Sequence, residues 1–175
     1  MNLREFDNYI FDFDGTIVSL SVDWDGLRRD VLALCKNNGI EVDSRLHTNI
    51  DSLKAAGINV LEVIEGYEQP NGKVQYRIED KVISFIEKSV PDFFVISNNL
   101  SGTISVVLKE LSISHKCIKI VGIDNVRQSK PNIEGYLKVK DFLRPGSSVY
   151  IGDKEDDRIF ALNCNITFLH KGALL

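Results

Sequence analysis

Cysteine is scarce in this sequence, and the few cysteines form no recognisable pattern. Only Cys35, Cys117 and Cys164 occur among the 175 residues, with no CxxC pair and no Cys/His spacing of the kind that binds a metal. An odd number of widely separated cysteines is typical of free thiols in a reducing compartment. We therefore expect a cytoplasmic protein that does not depend on disulfides.

Long apolar runs are also absent, and neither sign of charge dominates. No stretch approaches the roughly 20 consecutive apolar residues that a membrane span requires. Residues 1–7 contain acid where a signal peptide needs a basic start and an apolar stretch, so we expect no secretory leader. The 21 Lys and Arg against 25 Asp and Glu give a net charge of −4, which argues against a protein built to bind nucleic acid or a membrane surface.

The chain does contain enough apolar material for one globular domain. Hydrophobic residues make up 43% of the sequence and charged residues 26%, which is ordinary for a folded protein. A compact chain of this length buries roughly 70% of its unfolded surface. We expect one domain with a small insertion, present as a monomer or a homodimer.

Short apolar runs alternate with longer stretches of helical periodicity, a pattern that is typical of βα units around a parallel sheet. The expected strands cover residues 9–13, 93–96, 117–123, 149–151 and 166–169. The expected helices are one that Asp23 caps and that ends near residues 37–39, followed by residues 44–56, 59–67, 76–88, 101–111, 131–142 and 155–162. The sequence therefore predicts an α/β fold.

A block of helices interrupts this alternation after the first strand. Residues 69–72, Gln-Pro-Asn-Gly, form the strongest break in the chain and end the block. We expect a core domain from residues 1–17 and 71–175, and a small helical unit from residues 18–70. An insertion at this point lies at the carboxyl ends of the strands, where open α/β sheets bind ligands, so the block is a candidate lid.

The first candidate site is an acidic turn, DFDGT, at residues 12–16. If the chain turns at Asp14, the carboxylates of Asp12 and Asp14 converge on one reacting centre, and Gly15 lets backbone N–H groups approach an anion. A calcium loop does not fit, because its glycine and its bidentate glutamate would fall at Ile17 and Asp23. A solvated Asp-Gly turn is the simpler alternative.

Two further candidates lie where a strand or a loop meets a helix. Ser97, with Asn98 behind it, ends the apolar run 93–96, and a hydroxyl at such a strand end can donate to a phosphate oxygen. Lys130 stands before Pro131, which is preset for the first turn of a helix, and its ammonium can reach the same crevice. Taken singly, a Ser-Asn helix cap and an exposed loop lysine are the simpler explanations.

The last candidate is an acid-rich segment, GDKEDD, at residues 152–157. Its acids repel one another unless a cation lies among them. Oxygen ligands from Asp153, with Asp157 one helical turn further on, suit Mg²⁺, which takes few carboxylates and keeps waters. An acid-rich helix N-terminus, which the helix dipole favours without a metal, is the alternative. The adjacent Asp156 can also replace Asp157.

Together, and in this order, the four segments resemble the motifs of the haloacid dehalogenase-like hydrolase superfamily. The resemblance covers residues 9–169 apart from the helical block. It rests on Asp12-x-Asp14-Gly15-Thr16, a serine that ends an apolar strand, Lys-Pro, and Gly152-Asp153-x-x-x-Asp157. The segment from Val121-Gly122 through Ser129-Lys130-Pro131 to Tyr136-Leu137 is most similar to the phosphoglycolate phosphatase-like branch.

The resemblance implies a Mg²⁺-dependent phosphatase with a Rossmann-like, three-layer core and a small helical cap. The strand of Asp12 would lie at the centre of a parallel sheet, flanked by the strands that precede Ser97 and Asp153. Asp12 would be the nucleophile that forms an aspartyl-phosphate, and Asp14 the general acid and then the general base. The residues implied for phosphate binding are Gly15, Thr16, Ser97, Asn98 and Lys130. The implied metal site comprises Asp12, Asp14 through its backbone carbonyl, Asp153 and Asp157.

The implied substrate is a small phosphorylated metabolite, either phosphoglycolate-like or a sugar phosphate. Family members that dehalogenate lack a carboxylate at the position of Asp14, so phosphoryl transfer is favoured over dehalogenation. A phosphomutase of the same fold is an open alternative, because it forms the same aspartyl-phosphate. A non-catalytic binding module is a third hypothesis, against which Asp14 argues, since binding alone needs no acid or base at that position.

Overall fold

The computed structural model describes residues 6–174. Residue 175 and residues 1–5, which hold most of the segment in which no leader was expected, lie outside the described residues. The strands in chain order are β1 (Asn8–Phe11), β2 (Val18–Leu20), β3 (Tyr76–Ile78), β4 (Phe93–Ile96), β5 (Cys117–Val121), β6 (Ser148–Gly152) and β7 (Thr167–His170). The helices are α1 (Trp24–Asn37), α2 (Leu46–Ala55), α3 (Leu61–Glu68), α4 (Asp80–Ser89), α5 (Ser101–Glu110), α6 (Glu134–Leu137) and α7 (Glu155–Asn163). Within the described part of the chain, no helix is both long and apolar enough to cross a bilayer.

Five strands form one parallel sheet in the order β5-β4-β1-β6-β7. β1 lies at the centre, between β4 and β6, as the resemblance implied. Every residue of β1 and β4 is buried, which explains why these strands are continuous apolar runs in the sequence. The chain builds β4 and β5 on one side of β1 and then β6 and β7 on the other. The strand order therefore reverses beside β1 and leaves a crevice at the carboxyl ends of the strands.

Each face of the sheet carries its own hydrophobic core. Tyr9 and Phe11 of β1 belong to one cluster together with residues of α4 and α5. Ile10, which lies between them in the sequence, belongs to a second cluster with Phe160 of α7. This alternation follows from the two-residue period of a strand. The sheet is thus the middle of three layers, and the predicted α/β fold class is confirmed.

The inserted helices α1, α2 and α3, which we call the cap, share a separate hydrophobic cluster. Its buried members from these helices are Leu27, Val31, Cys35, Ile50, Leu53 and Ile64. The helix α1 begins as predicted, because the Asp23 carboxylate accepts a hydrogen bond of 2.9 Å from the N–H of Gly26. The division of the chain into residues 18–70 and a core of residues 1–17 with 71–175 stays a prediction.

Residues 76–78 form a strand where a helix over residues 76–88 was predicted. β3 pairs with β2 in an antiparallel ladder, and α4 begins only at Asp80. The apolar spacing of Ile78, Val82 and Ile86 favoured a helix, but Ile78 is 41% exposed and does not join the other two in the core. The ladder satisfies backbone groups of both strands and holds together the two ends of the segment that carries the cap.

The helix predicted over residues 131–142 is also wrong in extent. Only α6 and a short 3₁₀ turn at Lys140–Phe142 are helical. The side-chain oxygen of Asn132 accepts a hydrogen bond of 2.9 Å from the N–H of Glu134, and this local bonding competes with an earlier helix start. The strands predicted at residues 9–13 and 117–123 likewise end two residues early, at Phe11 and Val121.

Candidate active site

The candidate site lies at the carboxyl ends of the three central strands. Asp12 directly follows β1, and its N–H donates to the carbonyl of Ile151 at 2.8 Å, so the ladder extends to this residue. Ser97 directly follows β4, and its N–H donates to the carbonyl of Val121 at 3.0 Å. Asp153 directly follows β6. The rigid sheet therefore brings these three side chains to one edge, as the sequence predicted.

Asp12 is buried, with 4% of its surface exposed. Its Oδ1 accepts hydrogen bonds from Ser97 Oγ at 2.9 Å and from Lys130 Nζ at 2.7 Å. Burial raises the pKa of Asp12 to about 6, although the Lys130 ammonium lowers it, and the Asp157 charge raises it further. Among residues 6–174, the second oxygen of Asp12, Oδ2, has no hydrogen-bond partner.

Lys130 is buried rather than an exposed loop lysine. Its Nζ donates to Asp12 Oδ1 at 2.7 Å, to Asp157 Oδ1 at 2.6 Å and to the Tyr150 hydroxyl at 2.5 Å. Burial lowers the pKa of a lysine, but the Asp12 and Asp157 carboxylates outweigh this effect and raise the pKa of Lys130 above its ordinary value. The ammonium therefore stays charged beside Asp12.

Asp157, and not the adjacent Asp156, is the acid of this segment that binds Lys130. Its Oδ1 accepts from Lys130, and its Oδ2 accepts from the backbone N–H groups of Asp153 and Lys154 at 3.2 and 3.1 Å. Burial raises the pKa of Asp157, but Lys130 and the two N–H groups more than compensate and hold it below its usual value. The Asp156 side chain is 46% exposed.

Tyr150 completes the surroundings of the lysine and was not predicted. Its hydroxyl donates to the carbonyl of Ile96 at 2.7 Å while it accepts from Lys130. Burial raises the pKa of Tyr150 well above its usual range, and the carboxylates of Asp157 and Asp12 raise it further, so the phenol keeps its proton. A tyrosine between the buried aliphatic residues Val149 and Ile151 is a usable signal, because a buried hydroxyl needs a partner.

Three carboxylates lie close enough to share one cation. Asp12, Asp153 and Asp157 each offer an oxygen, and these oxygens lie within 4.8 Å of one another. Burial raises the pKa of Asp153, and the Asp157 charge adds to this effect. Because both oxygens of Asp157 already accept hydrogen bonds, Asp12 Oδ2 and the Asp153 carboxylate are the better donors. A donor set made only of oxygen fits Mg²⁺.

The Asp14 carboxylate lies outside this group of three. Its Oδ1 accepts a hydrogen bond of 2.8 Å from the N–H of Leu20 in β2, and its Oδ2 lies 3.5 Å from the Lys154 ammonium. The same ammonium is 3.4 Å from the Asp14 backbone carbonyl, the oxygen that the resemblance assigned to the metal. More than half of the Lys154 side chain is exposed, so it can move aside for a cation.

Gly15 and Thr16 define the position of Asp153. Gly15 has a φ of +86°, and a Cβ there would lie 2.3 Å from Asp153 Oδ2, so only glycine fits. Its N–H donates to the carbonyl of Val18 at 2.7 Å, and Thr16 Oγ1 donates to Asp153 Oδ1 at 3.4 Å. Thr16 therefore contacts Asp153, a candidate metal ligand, and Gly15 leaves room for it. Phosphate binding by either of them stays a prediction.

Asn98 holds the backbone of Lys130 with two hydrogen bonds. Its Oδ1 accepts from the Lys130 N–H at 2.9 Å, and its Nδ2 donates to the Lys130 carbonyl at 3.1 Å. This pair of bonds ties the loop that carries the lysine to the loop that follows β4. Direct phosphate binding by Asn98 stays a prediction.

The comparison with protein families agrees with this geometry. A family model described as haloacid dehalogenase-like hydrolase matches residues 9–171, which include every residue of the site. The chain belongs to this family. Among curated proteins, none matches the chain.

Solved structures share the fold of this haloacid dehalogenase-like hydrolase at low sequence identity. A protein from Bacteroides fragilis described as a haloacid dehalogenase-like hydrolase is 21% identical, with a TM-score of 0.64, over 94% of this chain and 86% of that chain. A protein from Lactobacillus plantarum described as a phosphoglycolate phosphatase is 16% identical, with a TM-score of 0.61, over 95% and 86%. The hydrolase YfnB from Bacillus subtilis, described as bound to magnesium, is 15% identical, with a TM-score of 0.52, over 93% and 87%.

In this hydrolase the site opens into a cavity of about 400 Å³ that core and cap line together. The cap residues that line it include Trp24, Leu27, Arg28, Ile50, Ile64 and Glu68. Glu68 was not singled out in the sequence. It is 2% exposed, whereas Glu62 and Glu65 of the same helix are exposed. The signal that could have found it is its helical spacing, because it lies four residues after Ile64 and eight after Val60, on the buried face.

Proposed function

We propose that this hydrolase is a Mg²⁺-dependent phosphatase that acts on a small phosphorylated metabolite. The observation that carries the proposal is the buried Asp12 carboxylate, which Ser97 and Lys130 hold at Oδ1 while Oδ2 has no partner among residues 6–174. Among the described residues, every fully buried polar side-chain atom that belongs to an unexposed residue has a partner. The unpartnered Oδ2 is therefore reached from the cavity, where an incoming phosphoryl group or cation would meet it.

The charges around Asp12 support attack on an anionic substrate. A phosphate monoester is a dianion that repels a carboxylate nucleophile, so positive charge must be present where the two meet. Lys130 supplies a buried ammonium 2.7 Å from Asp12 Oδ1. Asp157 and Tyr150 hold this ammonium in place beside Asp12, so its positive charge is already present where the substrate binds.

The residues present fit a magnesium ion. Asp12 Oδ2, the Asp153 carboxylate and the Asp14 backbone carbonyl would hold it, while Asp157 serves Lys130 and the start of α7. When bound, Mg²⁺ supplies positive charge that neutralises phosphoryl oxygens. The magnesium described in the related Bacillus subtilis hydrolase supports the choice of metal.

We assign the covalent and proton-transfer roles to the two acids of the turn. A carboxylate oxygen of Asp12 attacks phosphorus, the bond from phosphorus to the ester oxygen breaks, and Asp14, as the general acid, gives a proton to the leaving oxygen. Asp14 then takes a proton from water, whose oxygen attacks the aspartyl-phosphate and releases inorganic phosphate and free Asp12. Ser97 and Lys130 hold the phosphoryl group through both steps.

The size of the site favours a small substrate. A cavity of about 400 Å³ holds a phosphorylated metabolite but little more. The related structure described as a phosphoglycolate phosphatase supports the same class, either phosphoglycolate-like compounds or sugar phosphates.

A screen of phosphorylated metabolites for release of inorganic phosphate tests the proposal. We expect release from at least one ester with Mg²⁺, and a loss of about 100-fold or more when EDTA removes the metal. Asp12→Asn is the matched control, because it keeps the size of the side chain and removes the nucleophile. Release from none of the esters, or equal release by Asp12→Asn, would contradict the proposal.

A further inference from the structure

We propose that Glu68, the last residue of α3, is a positioning residue for Ser97 and that it couples the cap to phosphate binding. The inference rests on the proposed function, because it takes Ser97 as a phosphate ligand. Glu68 has no hydrogen bond to Asp12, Ser97 or Lys130 themselves within the described chain, so it acts through the loop that follows β4.

Both oxygens of Glu68 are bound by that loop. Oε1 accepts a hydrogen bond of 2.8 Å from Asn99 Nδ2, and Oε2 accepts one of 3.2 Å from the N–H of Leu100. Glu68 and Asn99 are both buried, with 2% and 4% of their surfaces exposed. Two buried hydrogen bonds thus run from the end of the cap to the residues directly after Ser97 and Asn98.

Asn99 connects Glu68 to Ser97. Because the amide Nδ2 donates to a carboxylate, the opposite atom, Oδ1, must face Ser97, and it lies 3.0 Å from Ser97 Oγ. The same Oγ lies 2.9 Å from Asp12 Oδ1. A continuous series of side-chain hydrogen bonds therefore links Glu68 in the cap to the proposed nucleophile.

A carboxylate at position 68 is costly if the cap only needs packing there. Burial raises the pKa of Glu68 to about 7, and the hydrogen bonds from Thr103, Asn99 and Leu100 offset this only in part. Leu100 already packs in the hydrophobic cluster of the cap, so an apolar side chain at position 68 would hold the cap against this loop equally well. The two acceptors of Glu68 explain the carboxylate, because one orients Asn99 and the other satisfies the N–H that precedes α5.

The orientation matters because Ser97 has a single hydroxyl proton. In this structure two oxygens, Asp12 Oδ1 and Asn99 Oδ1, compete for it. An Asn99 held by Glu68 keeps the Ser97 side chain in one rotamer at the edge of the cavity, from which its hydroxyl proton would turn from these two acceptors to a phosphoryl oxygen. Without Glu68 the amide and the hydroxyl both gain freedom, which weakens anion binding.

Titration calorimetry with inorganic phosphate in the presence of Mg²⁺ tests this without requiring turnover. Glu68→Leu removes both acceptors at similar size, and we expect phosphate to bind about tenfold more weakly. Gln69→Leu is the matched control, because Gln69 is the next residue and donates to Thr103 Oγ1 of α5 at 3.0 Å instead of to Asn99. We expect the control to change phosphate affinity by less than about twofold.

A double-mutant cycle separates positioning from general loosening of the cap. In a Ser97→Ala background the hydroxyl is gone, so Glu68→Leu should weaken phosphate binding by less than about twofold further. A merely structural role for Glu68 would lower stability in both backgrounds and cost the same affinity in each. Glu68→Gln keeps one acceptor for Asn99, and we expect it to bind phosphate about threefold more weakly. It replaces Glu68→Leu in the experiment if that variant does not fold.

Several results would overturn the inference. These are unchanged or tighter phosphate binding in Glu68→Leu and in Glu68→Gln, equal weakening in Gln69→Leu, an undiminished effect in the Ser97→Ala background, or no phosphate binding by the unaltered protein. A protein that binds phosphate with the expected pattern but hydrolyses no ester would instead contradict the proposed function and support the positioning role.

Discussion

Glu68 also makes the stability of the protein depend on pH in a direction that can be calculated. Burial raises its pKa from the ordinary 4.5 to about 7, and the nearby Asp14 charge adds to this effect. Between these two values the folded chain binds more protons than the unfolded chain, so the free energy of unfolding falls as pH rises. This loss of unfolding free energy is absent below about pH 4.5 and complete above about pH 7. The difference between the two pKa values corresponds to about 3 kcal/mol.

The perturbation that isolates this contribution is Glu68→Gln, which keeps the shape of the side chain and cannot ionise. Any fixed loss from an imperfect hydrogen bond lowers the stability of the variant equally at every pH. The difference in unfolding free energy between the variant and the unaltered protein should therefore change with pH. Between pH 4.5 and pH 8 we expect the unfolding free energy of Glu68→Gln, relative to that of the unaltered protein, to rise by about 3 kcal/mol.

Urea unfolding followed by circular dichroism and by tryptophan fluorescence measures this difference. Trp24 is the single tryptophan and the first residue of α1, so its fluorescence reports on the cap that contains Glu68. Coincident transitions by the two probes justify a two-state treatment. Gln69→Leu adds no titratable group and should follow the unaltered protein in parallel. Parallel curves for Glu68→Gln as well would refute the reasoning, because they would show that folding leaves the pKa of Glu68 unchanged.

Two further predictions concern the acidic turn. With an aryl phosphate, Asp14→Asn should release about one equivalent of aryl alcohol in a burst and then turn over about 10²- to 10⁴-fold more slowly, because attack by Asp12 survives while activation of water does not. Asp12→Asn should show no burst, and identical traces for the two variants would mean that the roles are assigned wrongly. Gly15→Ala should weaken Mg²⁺ affinity and lower the free energy of unfolding by about 1–3 kcal/mol, because the added Cβ would collide with Asp153 and the φ of +86° at this position strains an alanine. Unchanged Mg²⁺ binding by calorimetry would argue against Asp153 as a ligand.

The central sheet and the residues at its edge were predictable because strand ends leave a local signal. The buried strands β1 and β4 are continuous apolar runs, and the chemistry-bearing Asp12 and Ser97 directly follow them. Parallel strands must place such residues at the same edge, whatever the loops between them do. Lys130 was found for a different reason, since only its resemblance to a family motif distinguished it from other loop lysines.

The remaining parts of the site depend on contacts that are distant in sequence. Glu68 is buried because the loop after β4 folds against the end of α3, more than 30 residues away in the sequence, and its own helix contains two exposed glutamates. The strand β3 was missed because its pairing partner, β2, lies before the cap, while its own residues fit a helical period. Local periodicity records which face of an element is buried, but not which partner satisfies its polar groups.

The cap of this hydrolase is fastened to both loops that hold the proposed phosphate ligands, so it is more than a wall of the cavity. Glu68 binds the loop of Ser97, and Asp51 of α2 accepts hydrogen bonds from the N–H and the hydroxyl of Ser129, next to Lys130, at 2.7 and 2.6 Å. Movement of the cap away from the core would break these bonds. We therefore expect substrate access and the order of the proposed phosphate site to be linked, and variants in the cap should be tested for phosphate affinity as well as for substrate preference.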